Sequence, residues 1–176
     1  MRRFYTVFII AAVFLSFRAN SPTEEDTNAK IKAVFLYNFT KYVEWPTSYK
    51  EGTFIIGIYG SNSPLLTELN KMAFTKTVGK QQLQIKTISS MDKFDKCHML
   101  FVTSDNGGSF SEVLSKLKGT STLIITERPG LARQGAAINF VVQDNKQKFE
   151  LNRANAEKYN LKVSSNLAAL AIVVND

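Results

Sequence analysis

Cysteine is nearly absent from this sequence, and histidine and tryptophan also occur only once each. Cys97 has no partner for an intramolecular disulfide, so the fold must depend on packing alone. Its position far from the N-terminus also excludes the lipid-anchored cysteine of a lipoprotein. With His98 as the only histidine, the chain lacks the histidines and cysteines of a zinc site. We therefore expect no metal and no cofactor.

Basic runs and glycine-rich phosphate-binding motifs are absent as well. Neither GxxxxGK[ST] nor GxGxxG occurs, which argues against nucleotide binding. The lysines are scattered and lack the paired aromatics of nucleic-acid modules, so we expect no nucleic-acid partner. The apolar run from Phe4 to Phe17 has about fourteen residues, which is short for a membrane span.

The N-terminus has the layout of a secretory signal peptide. Arg2 and Arg3 precede the apolar run, and no acidic residue occurs before residue 22. Small residues at Ala19 and Ser21 predict cleavage near residue 21, which gives a signal peptide over 1–21 and one exported domain over 22–176. Removal of the segment lowers the formal net charge from +7 to about +4. An uncleaved signal anchor is the alternative.

Apolar runs alternate with helical patterns along the rest of the chain. Four runs predict buried strands: Phe54–Tyr59, Gln82–Ile88, His98–Val102 and Thr122–Thr126. Helices are predicted to begin at Pro64 and Phe110. Two further runs, 138–142 and 149–151, are close enough for an antiparallel hairpin at the sheet edge. The predicted fold class is α/β, a single three-layer domain whose mostly parallel sheet is flanked by helices, with a C-terminal antiparallel hairpin.

The first and last helices carry the clearest local signals. A helix is predicted from about Asn28 to Glu44, before the Trp45-Pro46 pair turns the chain. Its apolar residues sweep roughly 200° of the surface, so we expect it to be packed into the core. Asn38 lies in that apolar sector and is expected to be buried and bonded to a loop backbone.

Near the C-terminus, Asn152 is expected to cap a short helix that ends at a left-handed Asn160. Ser164 or Ser165 is expected to cap a last helix. The apolar stripe of that helix is Leu167, Leu170, Ala171 and Val174.

No residues combine into a predicted catalytic site. Adjacent strand residues point to opposite faces, so Cys97 and His98 are interpreted as a buried thiol and a hydrogen-bonded imidazole. Glu127 is interpreted as a loop charge. The polar loops 60–63, 103–109 and 127–130 should meet at the carboxyl edge of the sheet, where α/β folds bind ligands. A simple turn with an N-cap at 107–109 is the alternative.

Four segments in order resemble the YfiR-like family. KAVFLYNFTKYVEWP at 32–46 is similar to the family's KAAFLYNFAKFVEWP, and CHMLFV at 97–102 to its CHILFI. GAAINF at 135–140 is similar to GGMINF, with Ala136 in place of the second glycine. FELNRANAEKYNLKVSSNLAALA at 149–171 is similar to FEIN..AA..AGLKISS.LL.LA, with Asn160 in place of glycine. The family's partner cysteine for Cys97 is absent, so the resemblance implies no redox control here.

The resemblance implies a non-catalytic periplasmic signalling regulator of biofilm formation. Such a protein binds and represses an inner-membrane diguanylate cyclase, lowers cyclic di-GMP, and is released when an outer-membrane OmpA-like lipoprotein captures it. Two alternatives stay open: the membrane partner is a histidine kinase, and the protein forms a homodimer. The alternative function is a periplasmic small-molecule binding protein or ligand sensor that uses the carboxyl-edge crevice.

Interface composition singles out a few residues as candidates for partner binding. Tryptophan and arginine are enriched where binding energy is concentrated. The candidate partner-binding residues are Trp45, Arg128, Arg133 and Arg153, with core packing as the alternative for Trp45.

Overall fold

The computed structural model describes residues 23–61, 63–105 and 110–175. The described helices are α1 (Glu24–Tyr42), α2 (Ser63–Thr75), α3 (Phe110–Leu117), α4 (Arg153–Lys158) and α5 (Ser165–Leu170). The described strands are β1 (Val43–Glu44), β2 (Phe54–Tyr59), β3 (Thr77–Val78), β4 (Gln81–Ile88), β5 (Met99–Val102), β6 (Leu123–Thr126), β7 (Ile138–Gln143), β8 (Lys146–Leu151), β9 (Lys162–Val163) and β10 (Ile172–Val173). The predicted signal peptide and the loop 106–109 lie outside the described residues.

The predicted α/β class with a mostly parallel sheet is confirmed. Eight strands form one sheet in the order β10-β8-β7-β6-β5-β2-β4-β3. The five strands β4, β2, β5, β6 and β7 are parallel to one another. Strand β3 pairs antiparallel with β4, and β7 and β8 form the predicted antiparallel hairpin. Asp144 and Asn145 have positive φ in its two-residue turn, as a type I′ turn requires. A second, small sheet pairs β1 with β9.

The helices lie on both faces of this sheet. Right-handed crossovers β2-α2-β4 and β5-α3-β6 run in opposite directions along the strand order, so α2 and α3 cover opposite faces. We call these the front (α2) and the back (α3). Helix α1 packs beside α2 on the front. There the rings of Phe35 and Phe39 pack against Phe140 and Phe149, with centroids 5.1–6.0 Å apart.

Three features differ from the sequence prediction because of contacts that are distant in the chain. Helix α1 ends at Tyr42 and not at Glu44, because Val43 and Glu44 pair with β9 as β1. The last helix ends at Leu170, and residues 172–173 pair with β8 as β10, so the hairpin is not at the sheet edge. Leu170 is 67% exposed and does not join a buried stripe, although Leu167 and Val174 are buried. The predicted caps are confirmed: Asn152 accepts from Asn155 N, Ser164 accepts from Leu167 N, and Asn160 is left-handed.

Candidate functional site

Helix α1 is apolar on more than one side. It begins with a capping box, in which Thr23 and Asp26 bond each other's backbone N–H. Its core side consists of Ala29, Ala33, Leu36 and Phe39. Apolar side chains also continue around the helix, a pattern typical of a helix that is covered on all sides. In this structure, however, only part of α1 is covered.

The uncovered side of α1 forms a shallow apolar depression, which we call the α1 groove. Lys30, Ile31, Val34, Phe35 and Asn38 line this groove, whose volume is about 370 Å³. Positions 31, 34, 35 and 38 share one side of a helix because they are three or four residues apart. Ile31 is 37% exposed and Val34 44% exposed. The prediction that α1 packs into the core is confirmed by the burial of Leu36 and Phe39, whereas Ile31 and Val34 of the same apolar sector are exposed.

Asn38 also differs from its prediction. It is half-buried rather than buried, and its Oδ1 accepts from Lys41 Nζ at 3.0 Å instead of bonding a loop backbone. The physical reason is that the sheet and α2 cover only one side of α1, and Asn38 lies on the other. Lys30 and Lys41 are exposed beside the groove, and neither forms an ion pair among the described residues. The groove is therefore a carbon surface with cations at its rim.

Trp45 lies in the core and not on a partner surface. It is 6% exposed, its indole N–H donates to the His98 carbonyl at 3.1 Å, and its ring meets Phe54 edge-on at 5.0 Å. Trp45 follows β1, and Pro46 after it is the N-cap of the 3₁₀ turn Thr47–Tyr49. The structure therefore corrects the expectation of a partly exposed anchor, and Trp45 no longer belongs to the proposed partner surface.

The three candidate arginines lie in separate parts of the fold: Arg128 in the loop after β6, Arg133 in a 3₁₀ turn and Arg153 in α4. Arg133 is exposed, and its Nη1 donates to the Asn175 carbonyl at 2.9 Å. Arg153 is exposed, and its Nη2 donates to the Val163 carbonyl at 3.3 Å. Arg128 is half-buried, and its Nε has no hydrogen-bond partner among the described residues. Their roles in partner binding stay predictions.

The carboxyl edge of the sheet is braced by an ion pair. Glu127 directly follows β6. One of its carboxylate oxygens accepts a hydrogen bond from Lys32 Nζ of α1, and the other accepts one from Ser104 N at 2.9 Å. Both charged side chains are largely buried. Glu127 therefore fixes α1 to the sheet and is not a free loop charge as predicted. Two clefts of about 400 and 500 Å³ flank this pair.

The structure confirms the interpretation of Cys97 and His98 as buried packing residues. The imidazole accepts from Ile55 N at its Nδ1 and donates from its Nε2 to the Tyr49 carbonyl at 2.7 Å, which requires the neutral ring. Burial lowers the pKa of His98, so the neutral form is favoured. Within the described residues, no three His, Cys, Asp or Glu side chains gather as a metal-binding group.

Cys97 is expected to be unreactive in the folded protein. Burial raises the pKa of its thiol to about 12, so the nucleophilic thiolate is scarce at neutral pH. A disulfide reagent such as DTNB should label the native protein negligibly and the urea-unfolded protein fully. We expect Cys97→Ser to lower the free energy of unfolding by no more than about 3 kcal/mol and to leave partner binding intact. Rapid labelling of the native thiol would contradict this structural role.

Sequence reasoning missed the α1 groove although part of its signal was visible. The spacing of Ile31, Val34 and Phe35 shows that they share a side of the helix. Nothing in that spacing tells which side of an apolar helix the rest of the chain will cover. The groove therefore required the three-dimensional structure.

A comparison with protein-family models matches residues 29–172 to a family described as YfiR/HmsC-like. The match begins inside α1 and includes every later element up to the first residue of β10. The search of curated proteins finds no match. Among the described residues, no helix combines the length and apolar character needed to cross a membrane. The chain belongs to the YfiR/HmsC-like family, which is known as a family of periplasmic regulators.

Proposed function

We propose that this protein is a non-catalytic periplasmic regulator that binds an inner-membrane signalling protein through the α1 groove and holds it inactive. Family membership suggests a membrane signalling partner. The observation that carries the choice of surface is the exposed apolar side of α1, since apolar patches on a folded domain mark interaction sites. The partner is a diguanylate cyclase, so that the bound regulator lowers cyclic di-GMP.

Charge defines the kind of surface that fits the groove. Lys30 and Lys41 border it without carboxylate partners among the described residues, and Ile31 and Val34 supply the apolar centre. A complementary partner presents an apolar segment flanked by carboxylates. Apolar centres contribute affinity, whereas charged rims steer association and orientation. Release follows when a second protein, an outer-membrane OmpA-like lipoprotein, competes for the regulator.

Export is part of this proposal because the partner's sensor domain is periplasmic. The basic start and the Phe4–Phe17 run support a cleaved signal peptide and a periplasmic location. The homodimer and the histidine-kinase partner are other outcomes of the same experiments. A ligand-sensing role at the carboxyl edge has some support from the two clefts there. This ligand-sensing role is weakened because Lys32 and Glu127, which line both clefts, already neutralise each other's charge.

Deletion of the gene is expected to raise cyclic di-GMP, because repression of the cyclase is lost. Nucleotide extracts from the deletion strain and from a strain complemented with the full-length gene provide the measurement. Affinity capture of the processed protein from its own membranes should recover one membrane sensor. Unchanged cyclic di-GMP with capture of a histidine kinase would replace the cyclase. Unchanged signalling with turnover of a periplasmic metabolite would overturn the regulatory function.

A further inference from the structure

The connection between β4 and β5 leaves a gap on the back of the sheet. It runs in the same direction along the strand order as β5-α3-β6, so it crosses the back. Instead of a helix it contains only the 3₁₀ turn Met91–Lys93, whose one buried residue is Met91. That turn packs against α3, which leaves part of the β2 and β4 surface beneath residues 93–97 uncovered.

This gap is a cleft of about 210 Å³ with an apolar floor. Ile55, Gly57, Ile88 and Cys97 line that floor. A Cβ atom at Gly57 would lie 2.7 Å from Ile88 Cδ1 and 3.5 Å from Cys97 Sγ, so the absence of a side chain lets these atoms close the floor. The cleft therefore ends on carbon and sulfur rather than on hydrogen-bonding groups. Its floor suits a compact apolar group.

The rim of the cleft is cationic. The rim carries one carboxylate, that of Asp95, and three lysines, Lys86, Lys93 and Lys96. The ammonium groups of Lys86 and Lys93 make no hydrogen bond or ion pair among the described residues, and Lys86 is half-buried. Lys96 is held differently: its Nζ lies over the Tyr49 ring and donates to the Ser48 carbonyl at 3.1 Å. Two ammonium groups are therefore available to a bound anion.

We propose that this cleft binds a small organic carboxylate, with its carboxylate group between Lys86 and Lys93 and its apolar body over Gly57. The small volume favours a compact ligand over a nucleotide or a peptide. The apolar floor favours an organic acid over inorganic phosphate, because phosphate has no apolar group to pack against that floor. The cleft lies on the back of the sheet, whereas the α1 groove lies on a helix of the front, so ligand binding is separable from partner binding.

Benzoate and benzamide test the proposal because they share a shape and differ in charge. Calorimetric titration of the processed protein should show benzoate binding in about the millimolar range, as expected for so small a ligand. Benzamide and phosphate should bind at least about tenfold more weakly. Lys86→Gln and Lys93→Gln should each weaken benzoate about tenfold. Lys146→Gln, at the exposed start of β8, should change nothing.

Circular dichroism must show that each variant is folded, which these surface substitutions at half-buried or exposed positions should allow. Equal affinity for benzoate and benzamide would overturn the proposal, because the lysines would then contribute nothing. Tighter binding of phosphate than of benzoate would overturn the assignment of the apolar floor. Unchanged benzoate affinity in both lysine variants would place the ligand elsewhere.

Discussion

Val34→Asp is expected to abolish binding to the membrane partner while leaving the protein folded. Val34 is the more exposed of the two apolar residues at the centre of the α1 groove. A carboxylate there must lose its hydration when the partner covers it, and a cost of at least about 2 kcal/mol weakens binding about 30-fold or more. If the partner's rim is acidic, repulsion adds to this loss. Valine and aspartate have similar helix propensities, so stability should change by less than about 1 kcal/mol.

Phe74→Asp supplies a matched control for this experiment. Phe74 is 90% exposed near the end of α2 and lies outside the groove. The same apolar-to-acid change there should leave binding and cyclic di-GMP unaltered. Binding to the captured sensor domain and the cellular cyclic di-GMP level should both be measured for each variant. Normal repression by Val34→Asp would exclude the groove as the binding surface.

Two charge reversals separate the groove from the arginines predicted from the sequence. Lys30→Glu should slow association and reduce its salt dependence, with a smaller effect than Val34→Asp, because rim charges mainly set the rate of encounter. Arg133→Glu should have little effect if the groove is the binding surface. It should reproduce the deletion if the sequence-based choice of arginine is correct. The pair of variants therefore tests one surface against the other.

Elements whose signals are local could be predicted from the sequence. Strand β2 has the predicted bounds, Phe54–Tyr59, because a short apolar run between turn residues is enough to define it. Asn152 and Ser164 were predicted as caps because an N-cap depends on a side chain and the backbone three residues later. Helix α1 begins at Glu24, about four residues before the predicted start, because Thr23 and Asp26 form a capping box there.

Elements that depend on distant partners could not be predicted in the same way. Residues 172–173 form β10 only because β8 is beside them, and two residues carry no strand periodicity of their own. The α1 groove is a similar case, since its exposure depends on what the sheet and α2 leave uncovered. The sequence leaves Trp45 open between core packing and a partner surface, and the Phe54 ring and the His98 carbonyl that decide for the core are distant in the chain.

Asn155 was not recognised in the sequence, yet it joins two parts of the chain in the core. It is fully buried in α4, and its Nδ2 donates to the carbonyls of Ala132 at 2.8 Å and Ala136 at 3.1 Å. Its Oδ1 accepts from Lys158 Nζ at 2.8 Å. The turn at 131–136 has little regular structure of its own, so α4 satisfies its backbone through this amide. Partners 19 and 23 residues away leave no local pattern.

Asn155→Leu is expected to lower the free energy of unfolding by about 2 kcal/mol or more. Leucine has a similar size but cannot donate, so the Ala136 carbonyl is left unsatisfied at about 1–3 kcal/mol. The Ala132 carbonyl loses one of its two donors and keeps Asn152 Nδ2 at 3.0 Å, which adds about 1 kcal/mol at most. Urea unfolding followed by the fluorescence of Trp45, the single tryptophan, measures the change. Asn166→Leu, at an exposed position in α5, is the matched control and should shift stability by less than about 0.5 kcal/mol. A loss below about 1 kcal/mol for Asn155→Leu would mean that the turn at 131–136 finds other donors and that this amide does not hold it.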